Sequence, residues 1–147
     1  MQLKTFHQKY IYRTEYHAFV ALAEISVCYI TKIVRNVLDN TETHKLVVVV
    51  TTKALKHLYD KRTAEEYDFI LFNMTDIVRY PDQIYLNKDK KRGDFLFVKT
   101  FKEQIFTCAI EKLEGKYFLV TCFRVRNKKY FNNYKLNWSW RDGTPSS

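Results

Sequence analysis

Residues 53–62, KALKHLYDKR, gather Lys53, Lys56, His57, Lys61 and Arg62 around one imidazole. Cleaving RNA without a metal requires a base for the 2′-hydroxyl proton, an acid for the leaving 5′-oxygen, and cations that steady the charged phosphorane. His57 is the candidate acid or base, with Lys53 and Arg62 as candidate cations. The same segment also reads as a solvated helix face carrying an ordinary surface histidine, and spacing alone does not separate the two readings. Lys99 closes the apolar run FLFVK, where a lysine must either snorkel out or face a site. Thr121, in FLVTCF, is a hydroxyl among apolar neighbours that either bonds a phosphate or is satisfied within the sheet. Arg124 and Arg126 flank Val125 and so share a strand face, a spacing that suits a two-point phosphate clamp or simple solubility.

Other chemistries find little support in the sequence. The histidines at 7, 17, 44 and 57 and the three cysteines show no CxxC, HxxxH or HExxH spacing, so no metal is expected. Three glycines, at 93, 115 and 143, cannot build a P-loop or a dinucleotide-binding turn, and no cofactor is expected. Cys108 and Cys122 lie in apolar stretches, where small buried thiols are the ordinary reading and a nucleophile the less economical one.

Charge is distributed unevenly. Of the net +9, residues 88–147 carry +8, interleaved with aromatics from Phe95 to Trp140. Lysines and arginines meet phosphates while aromatic faces stack unpaired bases, so this half suits single-stranded nucleic acid. Basic, tyrosine-rich composition can equally serve solubility. With 147 residues, 46% hydrophobic, the chain can bury one sizeable core. The longest apolar stretch is broken by Glu24, Lys32 and Arg35, so no membrane span is expected. The opening residues lack the apolar run of a secretory signal, and three scattered cysteines cannot all pair, which together predict a reducing, cytoplasmic setting.

The elements that must position these side chains follow from periodicity. Residues 14–39 repeat apolar side chains at spacings of three and four, which predicts a helix. Residues 45–50, KLVVVV, predict a strand buried on both faces. Thr51 or Thr52 caps a following helix, and Thr63 with Glu66 forms a capping box for another from Ala64 that stops before Pro81. Residues 83–86 then read as extended, and 94–101, 105–113 and 116–126 as three antiparallel strands with a tight turn at 114–115. Centring that hairpin sets Cys108 opposite Thr121 and Ile110 opposite Leu119, with Phe118, Val120, Cys122 and Arg124 on the other face. The expected fold is one α+β domain in which N-terminal helices pack on a small antiparallel β-sheet meander. It comprises a helical N-terminal extension over 1–44, a core over 45–126 and a basic aromatic tail over 127–147.

The order VVVV, TTKALKHLYDKR, DIVRYPDQIYLN, FLFVK and FLVTCFRV resembles the phage-associated branch of the Barnase, EndoU, colicin and RelE-like nucleases, over residues 45–126. In that group helix-borne Lys, His and Arg precede a small sheet, a Pro-Asp pair introduces its first strand, and a late strand carries a Thr. Lys53, His57, Arg62, Pro81, Asp82, Lys99 and Thr121 match those positions. Thr63 stands where the group's helix motif ends in a second histidine, so a two-histidine mechanism does not carry over. The resemblance implies a metal-independent endoribonuclease, a toxin or conflict-system effector, restrained by an acidic inhibitor or immunity protein.

The sequence thus leads to an endoribonuclease acting on tRNA or mRNA by 2′-hydroxyl transesterification. His57, Arg62, Lys53, Lys99 and Thr121 form the catalytic set, Arg124, Arg126 and Lys128 hold phosphates, and Tyr130 and Trp140 stack bases. The rival readings are a non-catalytic single-stranded nucleic-acid-binding module and a basic interaction protein that docks an acidic partner.

Overall fold

The valine run behaves as a doubly buried strand should, and the rest of the architecture grows from its need for neighbours on both edges. In the computed structural model, which describes residues 11–13, 18–20, 23–38, 46–88, 93–113 and 115–140, the run forms β4 (Val47–Thr51), with Val48 and Val50 inaccessible to solvent. Before it come β1 (Ile11–Arg13), β2 (Ala18–Val20), β3 (Glu24–Tyr29) and the short helix α1 (Lys32–Leu38). After it come α2 (Thr52–Lys61), α3 (Ala64–Arg79), β5 (Gln83–Leu86), β6 (Phe95–Phe101), β7 (Gln104–Leu113), β8 (Lys116–Val125) and β9 (Leu136–Ser139).

The fold is α+β, as expected, but the sheet dominates it. Seven strands lie in the order β3-β4-β8-β7-β6-β5-β9, with β4 and β8 parallel and every other pair antiparallel; β1 and β2 form a separate ladder. The expected meander survives as β5 to β8, enlarged into a mixed sheet by the parallel join and by β9. No described helix is long and apolar enough to cross a membrane.

The predicted N-terminal helix is replaced by strands β2 and β3, and only Lys32–Leu38 is helical. Residues 14–17, 21, 22 and 39 of that segment lie outside the described residues. The physical reason is tertiary. Ile25 and Val27 are half-buried while Glu24 and Ser26 are exposed, an alternation of period two that the three-and-four spacing of apolar residues masks. The open edge of β4 offers a ladder to this β-branched run, and β3 takes it, with Ile25 opposite Val50 and a bulge between Ser26 and Cys28. Pairing there outweighs helix propensity.

Both predicted N-caps are formed, although of the capping box only the Thr63 half is present, the Glu66 carboxylate turning to Arg126 instead. Thr51 Oγ accepts from the Ala54 amide at 3.1 Å, and Thr63 Oγ from the Glu66 amide at 3.2 Å. One sheet face packs on the helices: Leu55 and Leu58 of α2 and Ile70, Met74 and Ile77 of α3 meet Phe97, Phe106, Cys108, Ile110, Leu119 and Trp138. On the opposite face Val49, Leu96, Val98, Ala109 and Val125 are also buried. Their cover includes the segment 127–135, where Phe131 stacks on Tyr85 at 4.6 Å and Tyr130 meets Phe123 edge-on at 5.8 Å. The basic aromatic tail therefore wraps the sheet and then returns as β9 beside β5.

Strand β8 departs from the predicted register. Ile110 does face Leu119, but a bulge leaves Val120 as an extra residue, so Cys108 faces Cys122 and Thr121 faces Ala109. Beyond the bulge every side chain changes face. Cys122 joins the helix-side core, and Thr121 leaves it.

Two measurements check this packing. At Gly93 φ is +113° and an added Cβ would lie 3.2 Å from the Ile110 carbonyl oxygen, whereas Gly115 (φ +79°) has open space around it. Gly93→Ala should lower the urea unfolding free energy by about 1–3 kcal/mol, and by more than Gly115→Ala does. Burial pushes the Cys28 thiol up from 9.0 to about 11, against a smaller downward pull from the nearby Arg79 guanidinium. The native state thus holds the neutral thiol, whose contribution is complete below pH 9 and disappears as pH rises towards 11. Stability measured by urea unfolding should fall over that window, and Cys28→Ala should flatten the fall.

Candidate functional site

Helix α2 carries Lys53, His57 and Lys61 at intervals of four, which sets all three on its exposed face. That face borders a cavity of about 1090 Å³ on the sheet side away from α3. Its floor is the cleft-facing surface of β6, β7 and β8, including Leu96, Ala109, Glu111, Phe118, Thr121 and Phe123, and its far wall is Tyr130 and Tyr134. Lys56, in the same cationic segment, instead pairs with Asp60 one turn on and does not line the cavity.

Arg62 connects helix and floor. Strand β4 pairs with β8 only at Val48–Tyr117 and Val49–Phe118, so further along that edge β8 has no strand neighbour among the described residues. The helix end takes that place. Arg62 closes α2 as its C-cap, and its Nε donates to the Cys122 carbonyl at 3.1 Å while Nη2 donates to Thr121 Oγ at 3.4 Å. Its guanidinium lies 5.9 Å from the Phe123 ring centre and 3.9 Å from Glu66. Thr121 is thereby held at the cleft surface by a cation, in the orientation that the β8 bulge created.

Four of the five predicted catalytic residues therefore meet: Lys53, His57, Arg62 and Thr121 line one cleft, together with the predicted base-stacking Tyr130. Lys61, one of the cations expected around the imidazole, lines the cleft as well, and Glu111 joins it unforeseen. Glu111 could have been found by the period-two alternation of β7, which sends Ile110 into the core and its neighbour to the opposite face. The other carboxylate in the cleft, Glu24, is 3.4 Å from the Lys116 ammonium. Tyr130 and Tyr134 stack at 5.5 Å, and the Lys88 ammonium lies 4.9 Å from the Tyr134 ring centre.

The remaining predicted residues go elsewhere, for reasons of strand parity. Lys99 shares the face of Phe97, the helix side, so it cannot reach the cleft floor. It snorkels to the C-terminus of α3, where its ammonium donates to the Tyr80 carbonyl at 2.7 Å and sits 4.0 Å from Asp82. Arg124 and Arg126 do share a face, but it fronts the start of α3, in a cavity of about 190 Å³ beside Thr63 and Glu66. Arg126 donates to Glu66 at 3.1 Å. Lys128 is exposed beyond the end of β8. Trp140 borders a third cavity, with Lys99 and not with Tyr130.

The cleft can hold a phosphodiester between the α2 cations and a base against the tyrosine wall. It combines an imidazole, two carboxylates, the Thr121 hydroxyl and the cations Lys53, Lys61 and Arg62 in one space. Among the described residues no three His, Cys, Asp or Glu side chains cluster as metal ligands would.

Replacing Arg62 with Lys keeps the charge but loses the fork that bonds β8. The expected result is a loss of about 1–2 kcal/mol in urea unfolding. The amide of Cys122, on the same edge of β8 as the released carbonyl, should exchange with deuterium faster.

No protein-family model, no curated protein and no solved structure matches the chain, so the likeness to the nuclease group rests on the quoted motifs alone.

Proposed function

We propose that the chain is an endoribonuclease that cleaves RNA in the α2–β8 cleft without a metal. The observation that carries this reading is the convergence of His57, Lys53, Lys61, Arg62 and Thr121 with the Glu111 carboxylate and an aromatic wall in one cavity. In the reaction the substrate 2′-oxygen attacks the adjacent phosphorus as its proton passes to a base. The bond from phosphorus to the 5′-oxygen breaks as an acid protonates that oxygen, leaving a 2′,3′-cyclic phosphate and a free 5′-hydroxyl. Glu111 and His57 supply the base and the acid in place of two histidines. Lys53, Lys61 and Arg62 offset the growing phosphorane charge, Thr121 donates to a phosphate oxygen, and Tyr130 stacks a neighbouring base. Such an enzyme would act on tRNA or mRNA in the cytoplasm as a toxin or phage-conflict effector held by an acidic inhibitor.

A second reading, a module that binds single-stranded RNA without cutting it, is favoured by one specific feature. Arg62 already spends two donors on β8, which leaves less of its guanidinium for a phosphorane.

Incubation of end-labelled RNA in EDTA decides between them. Cleavage to cyclic-phosphate ends that falls by about 10²-fold or more in His57→Ala, with its unfolding curve unchanged, is the expected outcome. Intact RNA after prolonged exposure, with salt-sensitive retention by the native chain, would establish the binding module instead.

A further inference from the structure

Large apolar side chains left in water are the informative exceptions on a protein surface, especially when they gather. Phe72 is 87% exposed but stands apart, on the outer side of α3. Tyr29, Ile33, Tyr80 and Trp140, by contrast, are all exposed, and the last three border one cavity. Arg79 links two of them, since its Nη1 donates to the Tyr29 carbonyl at 2.9 Å and its guanidinium lies 5.6 Å from the Tyr80 ring centre. Ile33, Tyr80 and Trp140 surround a cavity of about 260 Å³ whose other walls include Val34, Pro81 and Trp138. Trp, Tyr and Arg around a small apolar pocket is the composition of a binding hot spot, in which one partner side chain is fully desolvated.

The rim supplies the sign of the partner. Arg79 and Lys99 border the pocket, and Lys32 is exposed beside Ile33. Among the described lining residues the one carboxylate, Asp82, accepts from the Thr100 amide at 2.8 Å and lies 4.0 Å from Lys99, so those two charges offset each other and Arg79 and Lys32 set the sign. The rim is therefore cationic around an apolar interior. A nucleobase would need polar partners for its edges, and the deep walls, Val34, Pro81 and Trp138, offer indole and aliphatic surface instead.

We propose that this surface docks an acidic segment of a partner protein, which seats one leucine, isoleucine or aromatic side chain between Ile33, Trp138 and Trp140 while its carboxylates meet Arg79 and Lys32. It lies on the helix side of the sheet, so the partner leaves the α2–β8 cleft open. The proposal does not depend on what that cleft does.

The chain's two tryptophans both border this pocket, so indole emission reports its occupancy directly. A random peptide library displayed on phage, selected against the full chain, is the test. The expected selection is a family of peptides with one large apolar residue flanked by Asp and Glu. Tryptophan-free members of it should change the indole emission saturably. Ile33→Asp, at an exposed position, should weaken them about tenfold or more, and Trp140→Ala should do the same by anisotropy of labelled peptide. Selection of no family, selection of basic peptides, or equal binding by both variants would overturn the proposal. So would a single-stranded oligonucleotide that changes the emission and displaces the peptides, which would reassign the pocket to nucleic acid. RNA cleavage is read separately, so failure here and failure of the cleft reading are distinguishable.

Discussion

Everything at the cleft depends on the short reach of one parallel ladder. β4 pairs with β8 across two residues and then hands the chain to α2, which leaves the next part of the β8 edge to be satisfied by something other than a strand. Unpaired strand carbonyls are costly when shielded from water, and Arg62 answers one of them with a charged donor. That contact fixes where the helix ends, and hence how its Lys53, His57 and Lys61 face lies against the sheet. It also draws Thr121 and Phe123 next to a guanidinium. Had β4 run on beside β8 for its full length, a strand would occupy the place where the cleft opens.

Pleat parity explains most of what the sequence disclosed and most of what it hid. Caps and periodicity in residues 46–88 are local signals, and Thr51, Thr63 and Pro81 act where local chemistry says they should. The convergence of Lys53, His57 and Arg62 follows from one helix and was legible for that reason. Thr121 reached the same place only through the extra residue Val120, which no local pattern announces. Without that insertion, Thr121 would point with Leu119 into the helix-side core. The same insertion carried Arg124 from the face of Phe118 to the helix side, whereas Lys99 was misplaced for a different reason. It sits in a strand whose face is decided by which side the helices cover, a property of the whole sheet. The N-terminal segment failed as a helix because β4 presented an edge, information carried twenty residues further along the chain.

The two sheet faces divide the protein's charge chemistry between them. Two strand cations on the helix side serve the structure: Lys99 meets a helix C-terminus, and Arg126 holds the nearly buried Glu66 at the start of α3. On the cleft side, Lys53 and Lys61 stand on an exposed helix face with no such internal duty among the described contacts. Burial of charge is tolerated where a partner is fixed, and surface charge remains where a ligand can supply the partner.

The segment 127–135 serves two masters. Its Phe131 and Tyr130 shield the second face of the sheet, and its Tyr130 and Tyr134 are the wall of the cleft. A molecule lodged against that wall therefore also clamps the lid of the hydrophobic interior, so occupancy and resistance to unfolding become a single coupled quantity. The converse holds for mutation: residues there are not at liberty to drift toward new specificities, since each loosening of the wall admits water beneath the sheet.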